Sequence, residues 1–167
     1  MAKGKAKRGA SSRPDPDGVR LVASNRRARH DYEIVETLEC GIVLAGSEVK
    51  SLREGRASLQ EAFARVDGGE LWLHGMHIPP YAFSRAGGHE PTRPRKLLLH
   101  RRELGHLAQR SKESGYTIVP LRVYFSGGLA KVEVALARGK KAYDKRQSEA
   151  ERDAAREIQR AMSQRRH

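Results

Sequence analysis

Two apolar segments that flank a pair of glycines predict a β-hairpin near the end of the chain. The segments span residues 116–125 and 129–138, and Gly127-Gly128 between them can adopt the positive φ angles of a two-residue turn. Such a turn fixes the register of the hairpin. The expected cross-strand pairs are Val123 with Val132, Leu121 with Val134, Val119 with Leu136, Arg122 with Glu133 and Tyr124 with Lys131. One face of the hairpin is then apolar and the other polar, as expected of a sheet that covers a core.

Further strands and two short helices are predicted around this hairpin. Residues 31–44 alternate apolar and polar side chains along one long strand, and Gly41 lies where that strand would need to bend. Residues 59–66 also fit helical spacing, but the turn sequence at 67–69 favours a strand. Pro120 lacks a backbone donor and should therefore lie at a sheet edge or a bulge. The remaining predictions are strands at 70–78 and 96–99, a loop at 81–95, and helices at 47–54, capped by Ser47, and at 104–115.

These elements predict a mainly β fold, and the charge of the chain predicts a polyanionic partner. We expect a small OB-like antiparallel β-barrel with two or three short helices, because closure of the sheet removes exposed edges. The 33 Lys and Arg against 20 Asp and Glu give a net charge of +13, in the range of nucleic-acid-binding proteins. The expected parts are a disordered basic arm over 1–24, the RNA-binding barrel over 25–138 and a basic tail over 139–167.

The C-terminal tail combines a cationic motif with a thin apolar stripe. Residues 139–146 read GKKAYDKR, and the stripe beyond them consists of Ala150, Ala154, Ile158 and Met162, four residues apart. So few apolar groups should not hold a helix in water. We expect the tail to be disordered in the free protein and helical in a charged groove of a partner. A helix docked on the rest of the chain is the alternative.

Little in the sequence indicates catalysis or metal binding. His74 and His77 are the one close histidine pair on a predicted element, and their separation puts them on opposite faces of a strand. Cys40, the single cysteine, is expected to pack in an apolar strand and fits a reducing compartment. No segment approaches the ~18 apolar residues of a membrane helix. We therefore predict a cytoplasmic monomer with no catalytic residues, no metal, no cofactor and no membrane partner.

A basic block over residues 25–30 is the main candidate for RNA contact. Its amide, guanidinium and imidazole groups suit phosphates, 2′-hydroxyl groups and bases of folded RNA. A solvated basic segment is the alternative. Glu39, on the outer face of the long strand, could accept a hydrogen bond from a base or sugar, or could balance an arginine, and the residues alone favour balancing. The candidates in the block are Asn25, Arg26, Arg27 and His30.

Four blocks of sequence, in one order and with nearly constant spacing, resemble a known family. They are NRRARHDY at 25–32, CGIVLAGSEVKSLREG at 40–55, PTRPRKLLLH at 91–100 and GKKAYDKR at 139–146. Together they resemble SmpB, the SsrA-binding protein family of bacterial trans-translation. Cys40 stands where the family often has alanine, and the first 24 residues lie outside the likeness.

The resemblance implies an OB-like barrel that binds the tRNA-like domain of transfer-messenger RNA and accompanies it into stalled ribosomes. By this likeness Asn25, Glu39 and Leu98 correspond to RNA-binding positions, with His30 and the neighbouring arginines in the same surface block. The tail is implied to pass through the decoding centre of the small subunit and to become helical in the empty message channel. The matching tail residues are Gly139, Lys140, Lys141, Tyr143, Asp144, Lys145 and Arg146.

Two other functions are compatible with the residues. A general RNA-binding translation factor or ribosomal protein with an OB fold would share the barrel and the charge, but would not need the motif at 139–146. An RNA-processing enzyme would use His30, Asp31 or Glu39 as acid and base. Competition binding between the tRNA-like RNA and ordinary tRNA separates the first alternative, and incubation of the protein with labelled RNA separates the second.

Overall fold

The chain folds into an antiparallel sheet that closes on itself. The computed structural model describes residues 18–84, 88–140 and 142–164. Within them the elements are β1 (Val19–Ser24), α1 (Ala28–Asp31), β2 (Tyr32–Ile42), α2 (Gly46–Arg53), β3 (Phe63–Asp67), β4 (Glu70–His74), β5 (Arg95–Leu98), α3 (Arg101–Ser111), β6 (Tyr116–Ser126), β7 (Leu129–Gly139) and α4 (Ala142–Gln164). The strand order is β1-β6-β3-β4-β5-β2-β7, and an additional pairing of β6 with β7 closes the ring. The mainly β, OB-like prediction is confirmed.

The interior of the barrel is filled by alternate side chains of the strands and by one face of each of two helices. Leu52 of α2 and Leu107 of α3 are fully buried in the same core as the strand residues. Each such leucine contributes about 1.5–3 kcal/mol relative to an exposed one. Cys40 is also fully buried, and burial, followed by the nearby Glu103 and Glu39 carboxylates, raises the pKa of its thiol to about 12. The thiol therefore stays protonated and packs as an apolar group, as predicted.

Gly41 allows two strands to approach where β2 changes its neighbour. β2 pairs with β7 as far as Gly41 and with β5 at Gly41 and Ile42. A Cβ added at Gly41 would lie 3.4 Å from the Cβ of Leu98, at the short end of ordinary van der Waals contact. Gly41, where the sequence predicts a bend, is therefore the residue at which β2 pairs with β7 on one edge and β5 on the other.

The predicted register of the β6–β7 hairpin holds near the turn and fails beyond Leu121. Gly127 and Gly128 have φ values of 57° and 78°, as the turn requires. A β-bulge between Pro120 and Arg122 then shifts the ladder, because Pro120 has no N–H to donate. The confirmed pairs are Val123–Val132, Tyr124–Lys131 and Arg122–Glu133. The predicted pairs Leu121–Val134 and Val119–Leu136 are wrong, since Pro120 pairs with Val134 and Val119 with Ala135.

The bulge has a packing consequence. Val119 and Leu121 form a second apolar cluster with Ala28 of α1, separate from the main core. This cluster holds the short α1 helix, which the sequence did not predict, against β6 and β7.

Helix starts and one strand end differ from the predictions. Ser47 does not cap α2, because the helix begins one residue earlier and the N–H of Ala45 donates to Glu48 Oε2 at 2.9 Å. The Ser47 hydroxyl instead donates to Nδ1 of His89, whose Nε2 donates to the Ile78 carbonyl. The last strand of the 59–78 hairpin ends at His74, so His77 lies outside it. Among the described residues, no His, Cys, Asp and Glu side chains are grouped closely enough to hold a metal ion.

The two ends of the chain are more ordered than the sequence predicts. Val19–Ser24, placed in the disordered arm by the sequence, forms β1 because it completes the free edge of β6. Residues 1–17 lie outside the described residues. The tail forms α4 in the chain by itself, although its described side chains from 146 to 164 are exposed. Its Ala, Glu, Gln and Arg content favours helix formation without burial. No helix in the described part of the chain has the length and apolar content needed to cross a bilayer.

Candidate RNA interface

Asn25 fixes the turn between β1 and α1. Its backbone N–H donates to the Leu121 carbonyl at 2.7 Å, and its Nδ2 donates to the Pro120 carbonyl at 3.2 Å. Its Oδ1 accepts from the N–H of Ala28 at 3.2 Å. The side-chain amide is therefore engaged in holding the backbone of the basic block. This role orients the arginines that follow.

The arginines of the basic block are exposed and lie between two clefts. Arg26 and Arg27 line a cleft of about 420 Å³ whose other wall is formed by residues 57–60. Arg26 and Arg29 line a second cleft, of about 760 Å³, toward Arg152 and Arg156 of α4. Guanidinium groups on both walls make this second cleft strongly cationic, and therefore suited to phosphate groups.

His30 is held between two carboxylates. Its Nδ1 donates to Asp31 Oδ1 at 2.9 Å, and its Nε2 donates to Glu149 of α4. The hydrogen bond to Glu149, followed by that to Asp31, raises the pKa of His30 above its ordinary value of 6.5. This contact therefore favours the charged imidazolium form of His30. In the free chain, His30, which is predicted to touch RNA, is bound to Glu149 of the tail.

The start of the tail lies against the same short helix. Lys140 Nζ donates to the Arg29 carbonyl at 2.9 Å, and the backbone N–H of Lys140 donates to the Asp31 carbonyl at 3.1 Å. Arg152 of α4 donates to the Arg29 carbonyl at 3.3 Å. Of the predicted tail motif, Gly139 ends β7, Lys141 lies outside the described residues, and Tyr143, Asp144, Lys145 and the exposed Arg146 belong to the first turns of α4.

Four residues form a row across the outer surface of four neighbouring strands, here called the outer row. Ser24 of β1 pairs with Arg122 of β6, Arg122 with Glu133 of β7, and Glu133 with Glu39 of β2. Arg122 binds the Glu133 carboxylate through Nε at 3.1 Å. The outer row thus begins beside Asn25 and ends at Glu39, so the structure brings these two predicted RNA residues onto one surface.

Glu39 is part of a local hydrogen-bond network. It accepts a hydrogen bond from the buried hydroxyl of Tyr124 and lies 3.9 Å from Lys131 Nζ. The guanidinium of Arg122 lies 4.7 Å from the centre of the Tyr124 ring. Burial and then the Glu39 carboxylate raise the pKa of Tyr124, which keeps its hydroxyl protonated. The arginine expected to balance Glu39 is not its partner, and Tyr124 and Lys131 are found there instead.

Leu98 continues this surface beyond Glu39. It is 50% exposed and pairs with Gly41 at the end of β2. With Leu129, which is 64% exposed, it lines an open groove of about 430 Å³. Lys131 lines the groove as well, so an apolar and a cationic contact are available side by side.

A buried ionic cluster, which we did not predict, organises the elements beneath this surface. Glu48 of α2 and Arg95 of β5 are both fully buried, with Arg95 Nε 2.9 Å from Glu48 Oε1. Arg93 binds the same carboxylate through Nε at 2.7 Å and through Nη2 at 2.6 Å. The alternation of β5 contained the signal, because Arg95 lies two residues before the buried Leu97 and must face inward with it.

A closed basic barrel with a charged outer row, and with a C-terminal helix that places Arg152 and Arg156 beside the basic block, has the features of an OB-type nucleic-acid-binding protein. A family model described as SmpB protein matches residues 22–164. The chain belongs to the SmpB family, as its four sequence blocks indicate.

Curated relatives and a solved structure agree with this assignment. The SsrA-binding protein of Acidothermus cellulolyticus is 60% identical over 148 residues, which cover 89% of this chain and 93% of the relative. That of Salinispora tropica is 60% identical over 152 residues, covering 91% and 96%. A similar solved structure, described as "tmRNA-SmpB: a journey to the center of the bacterial ribosome", is 52% identical with a TM-score of 0.61, covering 72% of this chain and 85% of that one.

Proposed function

We propose that this chain is a non-catalytic adaptor that binds the tRNA-like domain of transfer-messenger RNA and delivers it to stalled ribosomes for trans-translation. The observation that carries the proposal is the outer row, which joins the basic block to Glu39 and Leu98 on one surface. The similar proteins are named SsrA-binding proteins, and the similar solved structure is described in terms of tmRNA and the bacterial ribosome. The place of action is then the cytoplasm, with one chain on each RNA.

The side chains on this surface suit recognition of a folded RNA by its shape better than recognition of a particular base sequence. Folded RNA is recognised through its shape, its phosphates and its 2′-hydroxyl groups. Arg26 and Arg27 offer donors to phosphates, Glu39 offers an acceptor to a hydroxyl or an amino group, and Leu98 offers an apolar contact. In this proposal Asn25 acts mainly by holding the arginines in place.

The tail has a separate role in the proposal. Residues 139–146 and α4 contact the decoding centre and the message channel of the small subunit, where rRNA phosphates meet the basic motif and the arginines of α4. In the free chain α4 lies on α1 through few polar contacts, and those of its side chains that the structure describes are exposed. Such a helix can leave α1 at small cost when a larger polyanionic surface is offered.

Competition binding tests the proposal against a general RNA-binding factor. Labelled tRNA-like domain RNA bound to the protein should be displaced by unlabelled transfer-messenger RNA far more readily than by ordinary tRNA. Equal displacement by both RNAs would indicate a general translation factor. Incubation of the pure protein with end-labelled RNA, with and without Mg²⁺, should leave the RNA intact, and defined cleavage products would instead support an enzyme.

A further inference from the structure

The outer surface of β3, β4 and β5 carries aromatic and basic side chains for which the proposed function has no use. In register, Phe63 lies opposite His74, Arg65 opposite Trp72, and Trp72 opposite Lys96. The residues between them, which include Ala64, Leu71, Leu73 and Leu97, are buried in the core. Because side chains alternate along a strand, the others share the outward side. We call this set, Phe63, Arg65, Trp72, His74 and Lys96, the aromatic face.

The ring of Phe63 is available for stacking. It is 44% exposed, and it stacks on His74 with 5.2 Å between the ring centres and 15° between the ring planes. His74 covers one side of the phenyl ring. A planar group placed on the other side would extend the same column of rings.

Arg65 is the charged side chain nearest Phe63 on this face and favours an anionic group there. The acidic Asp67 and Glu70 of the same face lie farther away, at the turn between β3 and β4. Arg65 is exposed, and its guanidinium has no hydrogen-bond or ion-pair partner among the described residues. Lys96, on the far side of Trp72, binds Glu70 through Nζ at 2.8 Å. Alternating aromatic and basic side chains on the outer side of a sheet are the usual means by which OB folds bind nucleotides.

The aromatic face is continuous with the proposed RNA surface at both ends. A cleft of about 200 Å³, lined by Asn25, Arg27, Gln60 and Phe63 among others, joins it to the basic block. At the other end Lys96 lies two residues before Leu98 on the same strand and therefore on the same side. Because β3, β4 and β5 stand across the closed ring from β6, β7 and β2, an RNA seated on the outer row reaches the aromatic face by extending around the barrel at Leu98 or at the basic block.

We propose that the aromatic face binds an unpaired nucleotide of the RNA that the chain carries, with the base stacked on Phe63 and a phosphate at Arg65. The inference rests on the proposed function and deepens it. Stacking of this kind accepts any base, because every base has a π face. An acidic protein segment would use the two cations but would leave the phenyl ring without a partner.

Substitution of Phe63 separates stacking from general RNA binding. Phe63→Leu should weaken binding of the isolated tRNA-like domain RNA about tenfold, the loss expected for one stacked base. Phe63→Tyr keeps the ring and should bind with an affinity close to that of the unchanged protein. Phe83→Leu removes a more exposed phenyl ring, 79% accessible, from the loop before β5, and serves as the matched control that should not change affinity. Thermal unfolding of all three variants checks that they are folded.

Two further measurements locate the nucleotide. Trp72 is the single tryptophan of the chain, so a change in its fluorescence on RNA addition reports directly on the aromatic face. Arg65→Gln should reduce the slope of log affinity against log salt by about 0.7, the value for one single-stranded phosphate. Arg102→Gln, on the exposed side of α3, is the control that should keep the slope.

The outcomes distinguish this inference from the proposed function. If the unchanged protein fails to bind the tRNA-like domain RNA, the proposed function is wrong. If it binds, but Phe63→Leu binds equally well and Trp72 fluorescence is unaffected, the inference alone is overturned. Unchanged RNA affinity with weaker ribosome association of Phe63→Leu would assign the aromatic face to another partner and would also overturn the inference.

Discussion

At the scale of single residues, Glu48 is a charged side chain that is fully buried. Burial is the largest single influence on it and by itself would raise its pKa. The hydrogen bonds from Arg93, from the N–H of Ala45 and from Arg95 together outweigh burial and lower the pKa of Glu48. Arg95 also donates to the Met76 carbonyl at 2.7 Å. One carboxylate therefore ties α2 to β5 and, through Arg95, to the segment after β4.

Removal of this carboxylate should destabilise the fold strongly. Glu48→Gln leaves Arg95 charged and buried without a counterion, which costs on the order of 3 kcal/mol of unfolding free energy. Glu54→Gln, whose partner Arg56 is 3.6 Å away on the surface, is the control and should change stability by less than about 0.5 kcal/mol. Urea unfolding at neutral pH measures both. Equal stabilities for the two variants would contradict the account of the cluster.

The same carboxylate predicts a dependence on pH. Because the folded pKa of Glu48 lies below its value of about 4.3 in the unfolded chain, its contribution to stability is full above that value. The contribution is lost as the pH falls through the lowered folded pKa. The difference in unfolding free energy between the unchanged protein and Glu48→Gln should therefore be constant from pH 7 to about 5 and shrink below about 4. A difference that stayed constant at acid pH would show that Glu48 is not ionised in the fold.

At the scale of elements, a few exposed polar contacts, here called the latch, hold α4 and the residue Lys140 before it against α1. The charged imidazolium of His30 donates to Glu149, and Arg152 and Lys140 both donate to the Arg29 carbonyl. Because the pairs are exposed, each contributes little free energy to the docking of α4. Such a contact positions α4 without fixing it, which fits a helix that has to move to another surface.

The latch should weaken as the pH rises. The folded pKa of His30 is raised above 6.5, so its contribution to docking is full below that value and is lost as the pH rises through the raised pKa. Amide hydrogen exchange in α4, corrected for the intrinsic rate, should therefore show less protection at pH 8 than at pH 6. Glu149→Gln should remove this dependence and Glu151→Gln, on the same exposed helix, should retain it. Identical protection at both pH values would rule out the latch.

The elements themselves were largely predictable where local signals exist. The alternation along β2 predicted a strand correctly, and the Gly127-Gly128 turn predicted the hairpin register correctly as far as Arg122, because period and turn chemistry act over a few residues. The slip after Leu121 was not predictable in detail, although Pro120 indicated where the ladder would be disturbed. β1 was missed because its order comes from the edge of β6, a segment about a hundred residues away.

At the scale of the whole molecule, the outer row shows why a site assembled from distant segments is hard to predict. Ser24, Arg122, Glu133 and Glu39 come from four strands and meet only through cross-strand pairing. The basic block was found from its composition, whereas Leu98 was found only through resemblance to a family. The role of Asn25 as a backbone clamp depends on carbonyls of the bulged segment of β6.

The central claim is that the barrel binds the RNA and the tail acts on the ribosome. The residues of the outer row all precede residue 139, and α4 adds no buried side chain among those described. The most direct test is truncation after Arg138, with RNA affinity and peptide tagging on stalled ribosomes measured on the same preparation. The account predicts that affinity for the tRNA-like domain is retained and that tagging is lost. Loss of RNA affinity, or tagging by the truncated protein, would contradict it.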